Sequence, residues 1–396
     1  MSLTAFPNSK SVDRFGVVVF SHLRWNFVFQ RPQHLLERFA RRHDVIFIEE
    51  PIFYDDDPKF TINQTKEGVT VAVPHLPHGT DPDGVERIMR GLVEDLVAEQ
   101  KFDKYITWYY TPMMLGWSEG LDPVATIYDC MDELSAFKNA PELLKLREAE
   151  LFGLSDLVFT GGRSLYEAKR EQHENVYCFP SSIDVDHFAS ALAPADPEPD
   201  DQKNIPGPRV GFFGVIDERT DIELLREIAE LRPDLQFVMI GPVVKISEED
   251  LPKANNIHYL GGKSYDELPD YIAGWDVAMM PFALNESTRF ISPTKTPEYL
   301  AAGRPVVSTP IRDVVRPYGE AGLVKIATTA EQFVRAIDDA LNEDATERRQ
   351  KASEFLDTMS WDKTYDGMSE LIDEAIAANE KASVGAAVSK SGFVSP

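Results

Sequence analysis

The sequence contains little cysteine and no long apolar run. Its two cysteines, Cys130 and Cys178, are too few and too far apart for a disulfide framework or a cysteine-ligated metal site. No stretch approaches the roughly 18 consecutive apolar residues of a membrane-spanning helix. The first fifteen residues, MSLTAFPNSKSVDRF, lack the apolar core of a signal peptide. We therefore expect a cytoplasmic protein whose contact with membranes is at most peripheral.

Basic residues are also scarce. Lysine and arginine number 40 against 66 aspartates and glutamates, which gives a formal net charge of −26. Such a charge repels nucleic-acid phosphates, so we expect no nucleic-acid partner. A polyanionic ligand such as a nucleotide diphosphate would need a local cluster of basic side chains. The acidity is equally typical of a protein adapted for solubility or for a salty habitat.

The length of 396 residues predicts more than one domain, because single cores stop growing at about 250–300 residues. Five prolines and several acidic residues between positions 189 and 208 indicate a linker. The predicted parts are an N-terminal acceptor-side domain (1–188), this linker (189–208), a C-terminal domain that binds the nucleotide (209–360), a closing helix (361–380) and a disordered tail (381–396).

Short apolar runs alternate with amphipathic stretches along both domains. Strands are expected at 15–20, 44–50, 69–73, 104–108, 124–129, 156–161 and 175–179, and then at 209–214, 235–241, 256–261, 276–282 and 304–309. Nearly continuous apolar strands separated by helices indicate parallel sheets covered on both faces. The fold class is therefore α/β, with two Rossmann-like, doubly wound domains. Their ligands are expected in the cleft between the carboxyl ends of the strands.

The most informative stretch is residues 285–310, NESTRFISPTKTPEYLAAGRPVVSTP, which runs from a strand end through a helix into the next strand. Two helix starts compete within it. Thr296 followed by Pro297 is typical of an N-cap and first turn, whereas Ser292 followed by Pro293 would start the helix one turn earlier. The later proline would disrupt a helix that had already begun. We therefore predict Thr296 as the N-cap and the four residues before it as a loop that faces phosphate.

That loop and helix start carry charged groups suited to a nucleotide. Free backbone amides, the positive end of the helix dipole, Lys295 and Arg289 would converge on one volume, which favours a diphosphate. Glu298, in the first turn, would direct its carboxylate towards the two hydroxyls of a ribose. An ordinary helix start with exposed charges is the alternative interpretation.

The pattern PxKxxEYLAAGRPVVST at 293–309 resembles the donor-binding signature of group 1 glycosyltransferases with the GT-B fold. Four other segments are similar to the branch of teichuronic-acid-type glycosyltransferases associated with surface polysaccharides. They are SHLRWNFVFQRPQHLLERFA (21–40), YDCMDELSAF (128–137), FTGGRSLYEAKR (159–170) and GVIDERTDIELL (214–225). The resemblance covers most of residues 15–380.

The resemblance implies roles at individual positions. Glu298 would hold the donor ribose, and Lys295 and Arg289 would face the diphosphate. The turn at Gly214 would approach the diphosphate closely, and Arg219 would add a cation from the opposite loop, although a tight turn and a surface ion pair are the plainer interpretations of these two. The donor-binding positions implied are Gly214, Arg219, Arg289, Ser292, Pro293, Thr294, Lys295 and Glu298.

One position departs from the family pattern. Many retaining members carry a second glutamate eight positions before the ribose-binding one, and here that position is Phe290. Glu286 is close but out of register. The stereochemical outcome, retaining or inverting, is therefore left open.

The acceptor side is expected in the N-terminal domain, in the loop and helix after the first strand. Polar and aromatic residues there are His22, Arg24, Trp25, Arg31, Gln33 and His34. Trp25 could stack on a sugar ring. Alternatively, Trp25 only covers the loop, and Arg31 and His34 lie on a solvated helix face.

Asp129 and Asp132 follow a predicted strand at the same edge, and either could take the proton of an acceptor hydroxyl in an inverting reaction. Asp129 could instead cap a helix. The catalytic candidates are thus Asp129, Asp132, His22, Lys295 and Arg289.

The segment YDDDPKF at 54–60 mimics the DxD motif that binds a divalent metal in the other large glycosyltransferase fold. It lies in a polar stretch after a proline rather than at the end of a nucleotide-binding strand, so we interpret it as an acidic turn. We expect no metal and no cofactor.

The sequence thus predicts a metal-independent glycosyltransferase that moves a sugar from a nucleotide diphosphate to a saccharide or lipid-linked saccharide acceptor, as in surface-polysaccharide synthesis. Two alternatives use the same fold. One is a nucleotide-sugar epimerase or a phosphorylase, and the other is a non-catalytic scaffold that binds nucleotide sugars.

Overall fold

The computed structural model describes residues 14–391. In the N-terminal domain the strands are β1 Gly16–Phe20, β2 Asp44–Ile48, β3 Ile52–Tyr54, β4 Lys59–Gln64, β5 Thr70–Pro77, β6 Tyr105–Tyr109, β7 Ala125–Cys130, β8 Leu157–Thr160 and β9 Val176–Cys178. Its helices are α1 Arg31–Ala40, α2 Pro82–Gln100, α3 Leu143–Leu154, α4 Arg163–Lys169 and α5 Val185–Ala189, with short 3-10 helices at Pro112–Ser118, Leu134–Ala136 and Ser190–Leu192.

The C-terminal domain repeats this architecture. Its strands are β10 Arg209–Phe213, β11 Gln236–Ile240, β12 Ile257–Tyr259, β13 Val277–Met280, β14 Val306–Ser308 and β15 Val324–Ile326. Its helices are α6 Ile222–Leu231, α7 Leu268–Ala273, α8 Lys295–Ala301, α9 Arg312–Val314, α10 Ala330–Leu341, α11 Ala345–Leu356 and α12 Trp361–Ser391. Short 3-10 helices lie at Tyr265–Glu267 and Glu286–Thr288, and a π-helical turn lies at Val315–Gly319.

Each domain is built on one doubly wound sheet. The strand order is β3-β5-β2-β1-β6-β7-β8-β9 in the first sheet and β12-β11-β10-β13-β14-β15 in the second. The pairings are parallel except for β4, which runs antiparallel to β5 at the edge. This confirms the predicted fold class of two Rossmann-like domains.

The twelve predicted strands are all present, and those that sequence reasoning missed are β3, β4 and β15. Strand β4, KFTINQ, is mostly exposed, so it lacks the apolar run that marks a buried strand. The stretch interpreted as a polar acidic turn is the connection between β3 and β4, with Asp55 to Asp57 exposed.

Part of the predicted linker packs against the C-terminal domain. Gln202 is fully buried; its amide donates to the carbonyl of Tyr271 at 2.9 Å and its oxygen accepts from Trp275 Nε1 at 2.9 Å. Ile205 is also buried. The proline-rich composition therefore predicted a linker where some residues belong to the second domain. A polar side chain is tolerated in that core when its hydrogen bonds are satisfied.

The last helix returns to the first domain. Trp361, Met368, Ile372 and Ile376 on α12 are buried in one apolar cluster with the strands and α1 of the N-terminal sheet. Where the sequence predicted a tail without structure from residue 381, the helix continues to Ser391. The segment is rich in alanine, which has the highest helix propensity. Residues 392–396 lie outside the described part of the chain.

We expect Ile372→Ala to destabilise the protein by about 2–5 kcal/mol, because it removes a fully buried side chain from the contact of α12 with the N-terminal sheet. Urea denaturation followed by circular dichroism measures this change. Glu374→Ala, on the exposed side of the same helix, is the matched control. Equal effects of the two substitutions would contradict the packing described.

Candidate functional site

A cavity of about 1200 Å³ lies between the two domains, at the carboxyl ends of their strands. Its C-terminal wall includes Gly214, Arg219, Thr294, Lys295 and Glu298. Its N-terminal wall comes from the loop after β1, from α1 and from the β4–β5 turn. The donor-binding residues expected from the sequence are thus largely brought together.

Helix α8 forms the centre of this wall. It begins at Lys295 with Thr294 as the N-cap, so the predicted N-cap Thr296 is wrong, and so is the earlier start at Ser292. Pro297 is tolerated in the first turn because the first backbone amides of a helix have no partner within it. Thr296 is fully buried, and its hydroxyl lies 3.5 Å from the sulfur of Met280.

Lys295 and Glu298 both line the cavity wall, one helical turn apart. Burial lowers the pKa of Lys295 and raises the pKa of Glu298, and each charge partly offsets the shift of the other. The Lys295 ammonium lies 5.8 Å from the ring centre of Phe212 and 6.0 Å from that of Phe213. Glu298 is only 5% exposed, and its Oε2 has no hydrogen-bond partner. A buried carboxylate oxygen without a donor is ready to accept a ligand hydroxyl.

The turn at Gly214 is shaped by Lys295. Gly214 has a φ of +136°, and a Cβ there would lie 2.2 Å from Lys295 Cε. The neighbouring turn at Gly241 has a φ of +143°, and its Cβ would lie 1.9 Å from the Gly214 carbonyl oxygen. The positive φ favours glycine at both strand ends, and at Gly241 the backbone of Gly214 leaves no room for a Cβ.

Arg219 approaches the same volume from the loop after β10. Its guanidinium pairs with Asp217, with the closest contact at 2.6 Å, and Asp217 is itself buried. Both alternatives that the sequence left open therefore hold in part, since Arg219 is ion-paired and also lines the cavity. Asp217 is a partner that the sequence analysis missed.

Arg289 does not join the cluster. Its side chain is 57% exposed and lies 3.5 Å from Glu286. The buried residues Ser287 and Thr288 fix the preceding 3-10 turn, which directs Arg289 outwards. The predicted convergence of Arg289 with Lys295 is therefore wrong. Phe290, at the position of the absent family glutamate, packs instead against an apolar cluster of the N-terminal domain.

Residues 292–295 were predicted to face phosphate, and only the last two of them line the cavity. Thr294 and Lys295 line it, whereas Ser292 packs against Gly162 of the N-terminal domain, where a Cβ would lie 2.7 Å from Ser292 Cβ. Ser292 and Pro293 are both half-buried.

On the acceptor side, Arg31 and Asp129 form a buried ion pair. Arg31 Nε and Nη2 donate to the Asp129 carboxylate at 2.9–3.1 Å, and Arg31 Nη1 donates to the carbonyl of Phe179 at 2.7 Å. Arg31 is 2% exposed and Asp129 is fully buried. The predicted roles in acceptor contact and proton transfer are therefore wrong for this pair, and so are the solvated helix face and the helix cap.

The loop before α1 is also mostly structural. Arg24 Nη1 donates hydrogen bonds to the Glu49 carboxylate at 2.9 Å and to the carbonyl oxygen of Glu50 at 2.6 Å. Trp25 is 5% exposed and packs edge-on against Phe47 at 5.2 Å, although it borders the cavity. These contacts favour the interpretation that Trp25 covers the loop.

The two histidines of this region are held in their neutral forms. His34 is buried and stacks on the ring of Trp361 at 4.6 Å, so it does not lie on a solvated face. Burial lowers the pKa of His34, and it lowers the pKa of His22 to about 4. A neutral His22 could accept a proton only weakly, although its Nδ1 is buried without a hydrogen bond.

Asp132 lies in the segment after β7 and is half-buried. Burial raises its pKa to about 6, against the attraction of nearby cations of which Arg219 is the strongest. Its negative charge also favours the protonated form of Lys295, although it is a minor influence on that pKa. A carboxyl group with such a pKa suits general-base chemistry near neutral pH.

We expect Asp129→Asn to lower the free energy of unfolding by about 3–5 kcal/mol, because it leaves the buried Arg31 guanidinium without a counter-charge. Asp132→Asn should change it by less than about 1 kcal/mol, because it removes a carboxylate that burial already disfavours. Chemical denaturation of both variants provides the measurement. If Asp132→Asn lowered the free energy of unfolding more than Asp129→Asn, Asp132 rather than Asp129 would be the structural carboxylate.

Among residues 14–391 no helix is long and apolar enough to cross a membrane. The same part of the chain holds no group of three or more histidine, cysteine, aspartate or glutamate side chains that could bind a metal ion.

Known proteins resemble the chain in sequence and in fold. Residues 207–343 match the model of the family "Glycosyl transferases group 1". A Bacillus subtilis (strain 168) protein named as a teichuronic acid biosynthesis glycosyltransferase, TuaH, is 24% identical over 246 residues, which cover 55% of this chain and 59% of that protein. The match thus spans less than two thirds of this relative.

Solved structures extend the likeness to nearly the whole chain. Sucrose-phosphate synthase from Thermosynechococcus elongatus superimposes with a TM-score of 0.71 at 15% identity, over 92% of this chain and 100% of that one. An Escherichia coli trehalose-6-phosphate structure with bound UDP-2-fluoro glucose gives 0.66 at 14% identity, over 90% and 98%. The protein therefore has the GT-B fold, and its residues 207–343 are similar to the group 1 glycosyltransferases.

Proposed function

We propose that this protein transfers a sugar from a nucleotide diphosphate to a saccharide or lipid-linked saccharide acceptor, without a metal ion. The observation that carries the proposal is that Lys295 and Glu298 line the same interdomain cavity, with Glu298 Oε2 unpartnered. A cation next to a free carboxylate oxygen matches the two parts of a nucleotide, its diphosphate and its ribose. The match of residues 207–343 to group 1 glycosyltransferases supports this assignment.

The donor would lie on the C-terminal domain. Glu298 would accept hydrogen bonds from the ribose hydroxyls, and Lys295 and Arg219 would face the diphosphate. Arg219 would exchange its contact with Asp217 for a phosphate oxygen. Lys295 and Arg219 would stabilise the charge that grows on the departing diphosphate, a task that metal ions perform at other diphosphate sites. Catalysis would thus be largely electrostatic.

The acceptor would lie on the N-terminal side of the cavity. Its hydroxyl oxygen forms a bond to the anomeric carbon of the donor sugar, while the bond from that carbon to the diphosphate oxygen breaks and leaves its electron pair on the diphosphate. In an inverting reaction the hydroxyl proton would pass to the carboxylate of Asp132, which is the candidate with a suitable pKa. Surface-polysaccharide synthesis is favoured by the likeness to the teichuronic acid glycosyltransferase.

We expect Lys295→Ala and Glu298→Ala each to weaken the binding of UDP about ten- to a hundredfold, since each removes a charge-assisted contact worth about 1.5–3 kcal/mol. Isothermal titration calorimetry with UDP, GDP and ADP, and then with their glucose conjugates, identifies the base. Lys253→Ala, at an exposed position, is the control, and Arg289→Ala should resemble it. Nucleotide binding that survives both substitutions would place the donor elsewhere, and a wild-type chain that binds no nucleotide would refute the proposal.

The affinity for UDP should also depend on pH through both groups. Burial raises the pKa of Glu298, so its carboxylate should form, and ribose binding should strengthen, above the pH range of an ordinary carboxyl group. Burial lowers the pKa of Lys295, so the favourable charge should be lost below the pH range of an ordinary lysine. The affinity of the wild type for UDP is divided by that of Glu298→Gln at each pH. Because UDP titrates equally in both experiments, its own titration cancels in this ratio. That ratio should increase with pH on the acidic limb, and a flat ratio would contradict the assignment of Glu298.

A further inference from the structure

One aromatic ring of the N-terminal domain contacts two cations of the C-terminal domain. The ring of Phe137 lies 4.9 Å from Lys245 Nζ and 5.6 Å from the guanidinium carbon of Arg219. Both distances are within the range in which the face of an aromatic ring attracts a cation. Arg219 belongs to the loop after β10 and Lys245 to the loop after β11, so Phe137 joins two separate loops at the cleft.

In the described part of the chain, Lys245 is only loosely paired with a carboxylate. Its nearest acidic contact is Glu218 Oε1 at 3.7 Å, which is beyond hydrogen-bond distance. Both carboxylate oxygens of Glu218 are buried without a hydrogen bond. Lys245 also adopts a left-handed backbone conformation, with φ of +64°, which is uncommon outside glycine, asparagine and aspartate. The Phe137 ring, 4.9 Å from the ammonium, is thus a second neighbour of Lys245 beside this loose ion pair.

The segment that carries Phe137 is anchored in its own domain. Lys169, on α4, is 5% exposed and contacts Glu133 and Glu148 at 2.8 Å each. Glu148 also accepts a hydrogen bond from the Tyr128 hydroxyl at 2.8 Å. The base of the segment is thus fixed, while its other end reaches the opposite domain.

The same segment carries Asp132. Asp132, Phe137 and the anchor residue Glu133 lie within six consecutive positions. The short helix at Leu134–Ala136 contacts the 3-10 turn at Glu286–Thr288 of the other domain. A single anchored element therefore spans the domain boundary next to the Lys295 and Arg219 cations.

We propose that Phe137 is a positioning residue for the transfer reaction, which holds Arg219 and Lys245 towards the diphosphate, and that Lys245 is a further cation of the donor site. This inference rests on the proposed function. In this arrangement the acceptor-side domain completes the donor site across the cleft. The diphosphate then meets three cations, Lys295, Arg219 and Lys245, in a protein that is otherwise strongly acidic.

A double-mutant cycle on UDP binding, measured by calorimetry on the full chain, tests the proposal. Phe137→Leu keeps an apolar side chain of similar size but removes the ring, and Lys245→Met removes the cation. Each is expected to weaken UDP binding about three- to tenfold. If Phe137 acts through Lys245, the two effects should not multiply. The double variant should then bind UDP at most about twofold more weakly than whichever single variant binds UDP less tightly.

Two further variants separate positioning from a general effect on structure. Phe137→Tyr keeps the ring and should bind UDP as the wild type does. Phe53→Leu, at an exposed phenylalanine on strand β3, should also leave binding unchanged. A Phe137→Leu variant that binds normally, a tyrosine variant as weak as the leucine variant, or effects of Phe137 and Lys245 that multiply would each overturn the inference. If the wild-type chain binds none of UDP, GDP and ADP, the proposed function fails and this inference falls with it.

Discussion

The close approach of Lys295 to the strand ends is the constraint on which the candidate site depends. Its side chain lies against the turn at Gly214, where the φ of +136° favours glycine. Glu298 lies one turn further along helix α8, in the same cavity wall. The low exposure of both charges produces their opposed pKa shifts, and it leaves a carboxylate oxygen that no protein donor satisfies.

Each cation at the cleft has a different kind of acidic neighbour. Arg219 is held by a direct ion pair with Asp217, Lys295 interacts with Glu298 over a longer range, and Lys245 is only loosely paired with Glu218. An acidic protein can keep such cations in place without a ligand because nearby carboxylates offset their repulsion. A diphosphate that enters the cleft would compete with these carboxylates for the same cations. The strength of the interaction between each cation and its carboxylate then determines how readily that cation binds the diphosphate instead.

The two domains are joined by packing as well as by the cleft. Helix α12 follows the C-terminal domain in the chain but belongs to the core of the N-terminal sheet. Phe290 and Ser292, next to the donor loop, contact the N-terminal domain, and Phe137 contacts the donor loops from the other side. The geometry of the donor site is therefore linked to the relative position of the domains. A change in that position would move the cations towards or away from Asp132.

The sequence by itself determined the features that depend on local order. Periodic apolar runs placed twelve strands in two parallel sheets, and the PxKxxE pattern placed Lys295 and Glu298 within one helical turn, where they share a wall. It did not determine which distant side chains pair. Arg31 and Asp129, 98 positions apart, were expected to face substrate, yet each is buried against the other. Arg289, predicted to join Lys295, faces solvent, whereas Asp217, Phe137 and Lys245 were not identified. Only the tertiary structure decided these contacts, because whether a charge is buried, paired or free depends on groups that folding brings together from remote parts of the chain.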